Sequence, residues 1–125
     1  MCLFSKALPT HAQQKIWPDE QQCQERSADT EILEGWCIAI DRRRGNCIAC
    51  HTFNITPWPN NLPVAGNIAP PMVEMQPRFP DLSKLRTIIE DATQFDSGTV
   101  MPPYLKHGIL SSQEIDLLVK FLLDI

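Results

Sequence analysis

The sequence contains no long hydrophobic run, little glycine and no excess of positive charge. No apolar stretch approaches the roughly 20 residues that a membrane-spanning helix requires. The net charge of -4 gives no basis for binding nucleic acid. The chain has 5 glycines against 11 prolines, and few segments alternate as strands do. We therefore predict one soluble domain with stiff, proline-containing loops that wrap around a bound group.

A five-residue motif, Cys47-Ile48-Ala49-Cys50-His51, carries most of the functional information. The Cys-x-x-Cys-His spacing is typical of covalent haem c attachment. Two thiols three positions apart can each add to a haem vinyl group, and the next residue can bind the iron as proximal ligand. The motif therefore predicts one covalent haem c, with Cys47 and Cys50 holding the cofactor and His51 binding the metal.

Three other interpretations of the Cys47–Cys50 pair stay open. A thioredoxin-like redox motif needs a βαβ setting, which the flanking residues do not show. Half of a zinc site needs a second Cys-x-x-Cys or a histidine pair at ligand spacing, and neither follows in the sequence. The short motif can also arise by chance.

The first residues do not have the pattern of a domain. Residues 3–12 (LFSKALPTHA) are weakly apolar and end on a small residue, as the end of a secretory signal peptide does. A disordered N-terminus is an equal alternative. Because bacteria attach haem c outside the cytoplasm, the haem interpretation itself predicts export to the periplasm.

Three cysteines lie outside the motif. Cys2 falls in the leading segment, whereas Cys23 and Cys37 could pair in an oxidising compartment. Closing that loop of about 15 residues would contribute roughly 3 kcal/mol to stability. Alternatively, Cys37 is a small buried hydrophobic residue on a helix face. Of the two, we slightly favour the disulfide.

Three segments have helical periodicity, and they predict an all-α arrangement around the haem. The first helix should begin near Asp29 or Thr30 and end near Arg44, with Gly45 as its stop. The second should run from Asp81 to about Phe95, and the third should follow a capping box formed by Ser111 and Glu114. The predicted buried faces are Ile32, Leu33, Trp36, Cys37 and Ile40, then Leu82, Leu85, Ile89 and Ala92, then Ile115, Leu118, Val119 and Leu122. We expect an extended arm before the first helix and an irregular loop over residues 52–80, which hold seven prolines.

A low-spin haem needs a sixth ligand opposite His51, normally Met or His. Met101 is the best candidate, because it lies between two predicted helices and Pro102 and Pro103 stiffen its loop. His107 is the reserve ligand. A methionine in such a loop can also simply fill a gap. The full set of candidates is Met72, Met75, Met101, His11 and His107.

The run Arg42-Arg43-Arg44 precedes the haem motif and allows two interpretations. It can be a patch that steers an acidic redox partner. It can equally be a solvated helix end, where cations complement the helix dipole.

Several blocks of the sequence resemble one family of cytochromes. The segment Ile38–His51 (IAIDRRRGNCIACH) resembles the haem segment of SoxX, the monohaem subunit of the thiosulfate-oxidising SoxAX complex. Gly66–Met72 (GNIAPPM) is similar to that family's Gly-Asn-Ile-Gly-Pro-Pro loop. Further similar blocks follow in the same order at Asp91–Thr93, Thr99–Tyr104, Gly108–Leu110 and Glu114–Ile115. The resemblance covers about residues 32–123.

This resemblance implies a cytochrome c-like fold: three main helices around one haem c, with long proline-rich loops. The chain would comprise a signal-peptide remnant (1–12), an N-terminal arm (13–28) and a cytochrome c domain (29–125). Cys47 and Cys50 would form the thioethers, and His51 and Met101 would be the proximal and distal ligands. The carbonyl of Pro70 would orient the imidazole of His51.

The resemblance also implies partners and a role. The partners would be a SoxA-like cytochrome subunit, a SoxYZ-like carrier that binds transiently, and a small cytochrome that accepts electrons downstream. The complex would be an L-cysteine S-thiosulfotransferase, of which this chain is the subunit that accepts electrons and contributes no catalytic residue. A free-standing periplasmic class I cytochrome c shuttle is the alternative, and a haem sensor with an open sixth position is a weaker one. The sequence departs from the family at Ala69, Ser97, Cys23 and Cys37.

Overall fold

The computed structural model describes residues 15–25 and 28–125. Within them the chain forms α1 (Glu20–Glu25), α2 (Glu31–Ile40), α3 (Met75–Arg78), α4 (Leu82–Glu90) and α5 (Ser112–Asp124). Short 3₁₀ turns cover Cys47–Ala49 and Ala92–Gln94. These residues contain no strand, only an isolated parallel bridge between Phe53 and Met72. The prediction of an all-α fold is confirmed, and none of the described helices is long and apolar enough to cross a membrane.

Helices α2 and α5 cross at a very close contact. Gly35 lies at the crossing, where a Cβ atom would be 2.2 Å from the carbonyl oxygen of Leu117 and 2.6 Å from the Cβ of Phe121. Only a residue without a side chain permits this approach. The crossing therefore depends on one glycine in the middle of α2, where helix propensity alone would favour alanine.

An aromatic cluster fills the core beside this crossing. Trp36 of α2 is fully buried. Its ring centroid lies 5.5 Å from Trp17, 5.6 Å from Phe121 and 5.8 Å from Trp58, mostly in edge-on arrangements. Phe53 stacks on Phe121 at 5.8 Å. The cluster thus joins the arm, α2, α5 and the loop after the haem motif in one apolar core.

The N-terminal arm is partly helical and not extended as predicted. Asp19 and Gln22 cap α1 reciprocally, since the Gln22 N–H donates to Asp19 Oδ1 at 2.8 Å and the Asp19 N–H donates to Gln22 Oε1 at 2.9 Å. This is a capping-box pattern that the sequence already contains. Cys23 of α1 is disulfide-bonded to Cys37 of α2, as favoured from the sequence. The disulfide fastens the arm to the core.

Helix α2 ends at Ile40, four residues earlier than predicted. The chain turns at Asp41, whose carboxylate accepts a hydrogen bond from the Arg43 N–H at 2.9 Å. Because this side chain offers the backbone a local partner, it competes with continued helix. Arg44 and Gly45 consequently lie in the turn that leads to the haem motif. The start of α2 at the Thr30 cap agrees with the prediction.

The second predicted helix is also too long. Helix α4 begins after the Asp81 cap but ends at Glu90. It ends there because Asp91 has an extended backbone conformation and caps the 3₁₀ turn that follows. The Asp91 carboxylate accepts a hydrogen bond from the Thr93 N–H. Leu82, predicted to be buried, is 51% exposed. Buried positions Leu85, Ile89 and Ala92 agree with the prediction.

Two further expectations concern the remaining segments. The loop predicted over residues 52–80 contains the short helix α3, which tolerates Pro77 because the first turn of a helix needs no N–H donor there. The capping box at Ser111 and Glu114 is present as predicted. The signal-peptide interpretation, Cys2 and His11 lie outside the described residues, and the domain division stays a prediction.

Candidate haem-binding site

A cavity of about 680 Å³ lies between the haem motif, the loop at residues 66–72 and the loop that precedes α5. Its size is typical of sites that bind small molecules and cofactors. Helices α4 and α5 contribute apolar walls through Leu85, Ile89, Leu118 and Leu122. The predicted residues Cys47, Cys50, His51, Pro70 and Met101 all line this cavity. The fold therefore brings together residues that are up to 54 positions apart in the sequence.

The haem motif begins in a tight 3₁₀ turn at Cys47–Ala49. Asn46 precedes it in the left-handed conformation (φ 47°), which Asn tolerates better than most residues. The N–H groups of Cys50 and His51 both donate to the carbonyl oxygen of Cys47, at 3.2 and 3.0 Å. This turn places both thiols at the cavity. Burial raises the pKa of the Cys47 thiol to about 12, so the unalkylated thiol is protonated at neutral pH.

His51 is oriented by the carbonyl group of Pro70. His51 Nδ1 lies 2.6 Å from the Pro70 carbonyl oxygen. Since a carbonyl can only accept a hydrogen bond, Nδ1 carries a proton, and in the neutral imidazole Nε2 then has the lone pair. An imidazole held in this tautomer has its Nε2 available for a metal ion.

The loop that carries Pro70 runs directly against the haem motif. Backbone N–H groups of Gly66, Ala69 and Met72 donate to the carbonyl groups of Ile48, Cys50 and Thr52 at 2.8, 3.0 and 2.7 Å. Gly66 makes this approach possible, because a Cβ there would lie 2.1 Å from the Ala49 carbonyl oxygen. The Pro70 carbonyl is therefore positioned by several backbone contacts on both sides.

The described candidates for the sixth ligand differ in their positions and exposure. Met72, Met75 and Met101 line the cavity, whereas His107 is exposed and is not among the lining residues. Met75 is only 1% exposed and belongs to the core. Met72 lies in the loop that also orients His51, and its backbone forms the isolated bridge with Phe53. Met101 reaches the cavity from the separate loop between α4 and α5, so it stays the predicted distal ligand.

The three arginines before the motif have different environments. Arg44 is bound to Asp41 at 3.0 Å and to Glu114 at 2.7 Å, whereas the side chains of Arg42 and Arg43 are 65% and 76% exposed. Burial alone would raise the pKa of Asp41, but the Arg43 N–H and the Arg44 guanidinium outweigh it, so the pKa is lowered. Arg44 therefore belongs to a structural ion-pair network, whereas Arg42 and Arg43, which pair more loosely with Glu20 and Asp41 at 3.5 Å, are the more exposed arginines.

Tyr104 is a site residue that the sequence did not single out for a role of its own. Its ring lines the cavity, it is 6% exposed, and its hydroxyl donates to the carbonyl oxygen of Gly45. Burial raises the pKa of the Tyr104 hydroxyl above its ordinary value. A tyrosine directly after Met-Pro-Pro was visible in the sequence, but its partner lies 59 residues away.

A model of the cytochrome c family matches residues 42–125, which include the haem motif, the loop of Pro70 and the loop of Met101. The chain belongs to the cytochrome c family. As a c-type cytochrome it carries covalently bound haem c and transfers electrons, and Cys47 and Cys50 lie in the segment where this family attaches its haem. A comparison with curated proteins gives no match.

The residues of this cytochrome fit a haem group chemically. Two thiols, an imidazole with a free Nε2 and a thioether face one largely apolar cavity. Such a site supplies vinyl-reactive groups, iron ligands and exclusion of water. Across residues 15–25 and 28–125, no group of three or more His, Cys, Asp or Glu side chains could hold a metal ion. The zinc interpretation of the motif therefore finds no additional ligands within these ranges.

Proposed function

We propose that this cytochrome is the electron-accepting subunit of a SoxAX-type complex in the periplasm. Such a complex couples thiosulfate oxidatively to a cysteine of a SoxYZ-like carrier protein, while a SoxA-like subunit holds the catalytic site. The resemblance of the blocks at Ile38–His51, Gly66–Met72 and Thr99–Tyr104 to SoxX supports the proposal, and residues of each block line the cavity. The chain itself contributes no acid, base or nucleophile to the reaction.

Each residue of the site has a defined task in this proposal. Cys47 and Cys50 anchor the cofactor through thioethers, and His51 presents Nε2 while Pro70 holds its Nδ1 proton. Met101 would offer a thioether to the haem from the same cavity, which favours a higher reduction potential than a second histidine would. The bound haem supplies an iron that takes up and releases one electron. The apolar residues of α4 and α5 keep water away from the site.

The observation that carries the subunit role is an apolar rim at the cavity, formed by Ile68 and Val100. Both residues line the cavity, and yet they are 77% and 87% exposed. Large apolar side chains exposed at a functional site favour contact with another protein over contact with water. A stable partner subunit would cover this rim, as an enduring complex requires.

A free-standing electron shuttle is the second candidate, and one observation favours it. Arg42 lines the cavity, and the side chains of Arg42 and Arg43 are mostly exposed close to the haem motif, although each forms a 3.5 Å ion pair, with Glu20 and Asp41 respectively. Exposed charges of one sign increase the rate of brief encounters with an acidic partner. A shuttle would use these charges, whereas a subunit would use the apolar rim.

The test is a native pull-down of the tagged, haem-loaded protein from cells grown on thiosulfate. We expect a second cytochrome in equal amount, and reduction of this haem by thiosulfate only when the carrier protein is added. A lone monomer that general donors reduce, and that is indifferent to thiosulfate, would support the shuttle instead.

Charge variants sharpen this experiment. Ile68→Glu and Val100→Glu should abolish co-purification of the second cytochrome, whereas Leu82→Glu should not, because exposed Leu82 does not line the cavity. Haem content of all three variants should equal that of the unsubstituted protein. If Arg42→Glu and Arg43→Glu abolished electron transfer while the rim variants had no effect, the charged surface would be the functional one.

A further inference from the structure

The loop that carries Met101 shares few hydrogen bonds with the haem segment among the described residues. Within residues 99–103 the backbone hydrogen bonds are local, such as the one from the Met101 N–H to Thr99 Oγ1 at 3.1 Å. Among the described residues, only one hydrogen bond joins residues 99–110 to residues 41–51. It runs from the hydroxyl of Tyr104 to the carbonyl oxygen of Gly45.

Both ends of this hydrogen bond are held in place. On one side, the Gly45 N–H donates to the Ile38 carbonyl oxygen at 3.2 Å, which fixes the acceptor against α2. On the other, the carbonyl oxygen of Tyr104 accepts from the N–H groups of Ile109 and Leu110 at 2.8 and 3.0 Å. Because Tyr104 is almost fully buried, an alternative partner in water is not available to its hydroxyl.

Two prolines connect this anchored tyrosine to Met101. Pro102 and Pro103 each have a fixed φ angle, and neither has a backbone N–H. Because these two residues bend little, a displacement of Tyr104 moves Met101 by a similar distance. The stiff connection converts a hydrogen bond at Tyr104 into a restraint on the position of the Met101 thioether.

We propose that Tyr104 is a positioning residue that holds Met101 at the iron by binding the segment which attaches the haem. This proposal rests on the role of Met101 as distal ligand, given under the proposed function. It assigns no contact between Tyr104 and the iron. Release of Met101 from the iron breaks the Tyr104–Gly45 hydrogen bond, so the bond opposes that release.

Imidazole binding to the oxidised, haem-loaded protein measures how readily Met101 leaves. Tyr104→Phe keeps the ring and removes only the hydroxyl. We expect imidazole to bind about tenfold more tightly to this variant, equivalent to about 1.4 kcal/mol, which is the range of one buried hydrogen bond. The long-wavelength sulfur-to-iron absorption band should remain, but it should disappear at a lower imidazole concentration. An unchanged imidazole affinity would refute the proposal.

A double-mutant comparison separates this proposal from the assignment of Met101. In a Met101→Ala background, Tyr104→Phe should leave the imidazole affinity unchanged, since no methionine remains to be held. A tenfold effect that persisted in that background would mean that Tyr104 acts on the site without Met101. If Met101→Ala alone left the affinity unchanged, Met101 would not be the ligand, and the role of Tyr104 would be rejected with it.

A matched variant tests for a general loss of stability. Thr87→Val removes another hydroxyl bonded to a backbone carbonyl, that of Ser83 at 2.8 Å in α4, and should not change imidazole binding.

Tyr104 is the chain's only tyrosine, so ring-labelled tyrosine reports on it alone in NMR spectra of the unsubstituted protein. Its hydroxyl proton should exchange slowly with solvent and become fast-exchanging when imidazole is bound. Slow exchange in both states would contradict the proposal without any substitution.

Discussion

Arg44 donates a 2.7 Å hydrogen bond to the carboxylate of Glu114, 70 residues further along the chain. The same carboxylate accepts the Ser111 N–H at 3.1 Å and so completes the capping box of α5. Arg44 also binds Asp41 in the turn before the haem motif. One ion-pair network therefore joins the segment that attaches the haem to the start of the last helix.

This network predicts a pH-dependent contribution to stability. Burial alone would raise the pKa of Glu114, but the Ser111 N–H and the Arg44 guanidinium outweigh it and lower the pKa below 4.5. A carboxyl group whose pKa is lowered by folding stabilises the protein above its unfolded pKa, and this contribution is lost as the pH falls through the folded pKa. Glu114→Gln should thus reduce the free energy of unfolding at pH 7 by about 1 kcal/mol. Urea unfolding of the haem-loaded protein should show the difference shrinking towards zero below pH 4.5.

Glu31→Gln is the matched control for that experiment. Glu31 forms an ion pair with Lys120, but its side chain is 63% exposed. Exposed pairs of this kind contribute little. A pH-independent effect of Glu114→Gln, or an equal effect of Glu31→Gln, would show that the network is not responsible.

The Cys23–Cys37 disulfide should stabilise the domain by constraining the unfolded chain. It spans a sequence separation of 14 residues, for which the chain-entropy model gives about 3 kcal/mol. The double variant Cys23→Ser, Cys37→Ala should lose about that amount in urea unfolding at pH 7. Addition of a reductant should lower the stability of the unsubstituted protein and leave the variant unchanged. Equal stabilities before reduction would mean that the disulfide constrains nothing.

Gly35→Ala should destabilise the protein although alanine is the better helix former. Propensity would stabilise α2 by roughly 1 kcal/mol, but the new Cβ would lie 2.2 Å from a backbone carbonyl oxygen of α5. Separating the two helices should cost about 1–3 kcal/mol or more. Thermal unfolding should compare this variant with Gly98→Ala, whose Cβ would meet no atom closer than 3.4 Å. An increase in melting temperature for Gly35→Ala would contradict the close crossing.

Met101→Ala should leave haem attachment intact, because Cys47, Cys50 and His51 are unaffected. The reduction potential should fall, and the iron should bind carbon monoxide and imidazole readily. Redox titration and ligand binding are the measurements. Met72→Leu is the control, since Met72 also lines the cavity but lies in the loop that orients His51. A lowered potential in Met72→Leu with none in Met101→Ala would transfer the distal role to Met72.

The features of this protein that depend only on residues close together in the sequence were predictable. The haem motif is five consecutive residues, and the capping box at Ser111 and Glu114 spans four, so both can be recognised without a fold. The cap at Asp19 and Gln22 carries the same kind of signal, and its omission from the prediction was avoidable. Helix ends were less predictable: the carboxylate of Asp41 stops α2 before the three arginines, and that of Asp91 stops α4 although Ala92 continues the apolar spacing.

The amino-acid sequence by itself determined the class of protein and its cofactor, because haem attachment chemistry needs only two thiols and an imidazole at a set spacing. The tertiary structure alone decided what surrounds them. The carbonyl partner of Tyr104, the carboxylate partner of Arg44 and the closeness of α2 to α5 at Gly35 all join residues that are 59 or more positions apart. Such contacts depend on how the helices pack around the cavity, and no local pattern of residues encodes that packing.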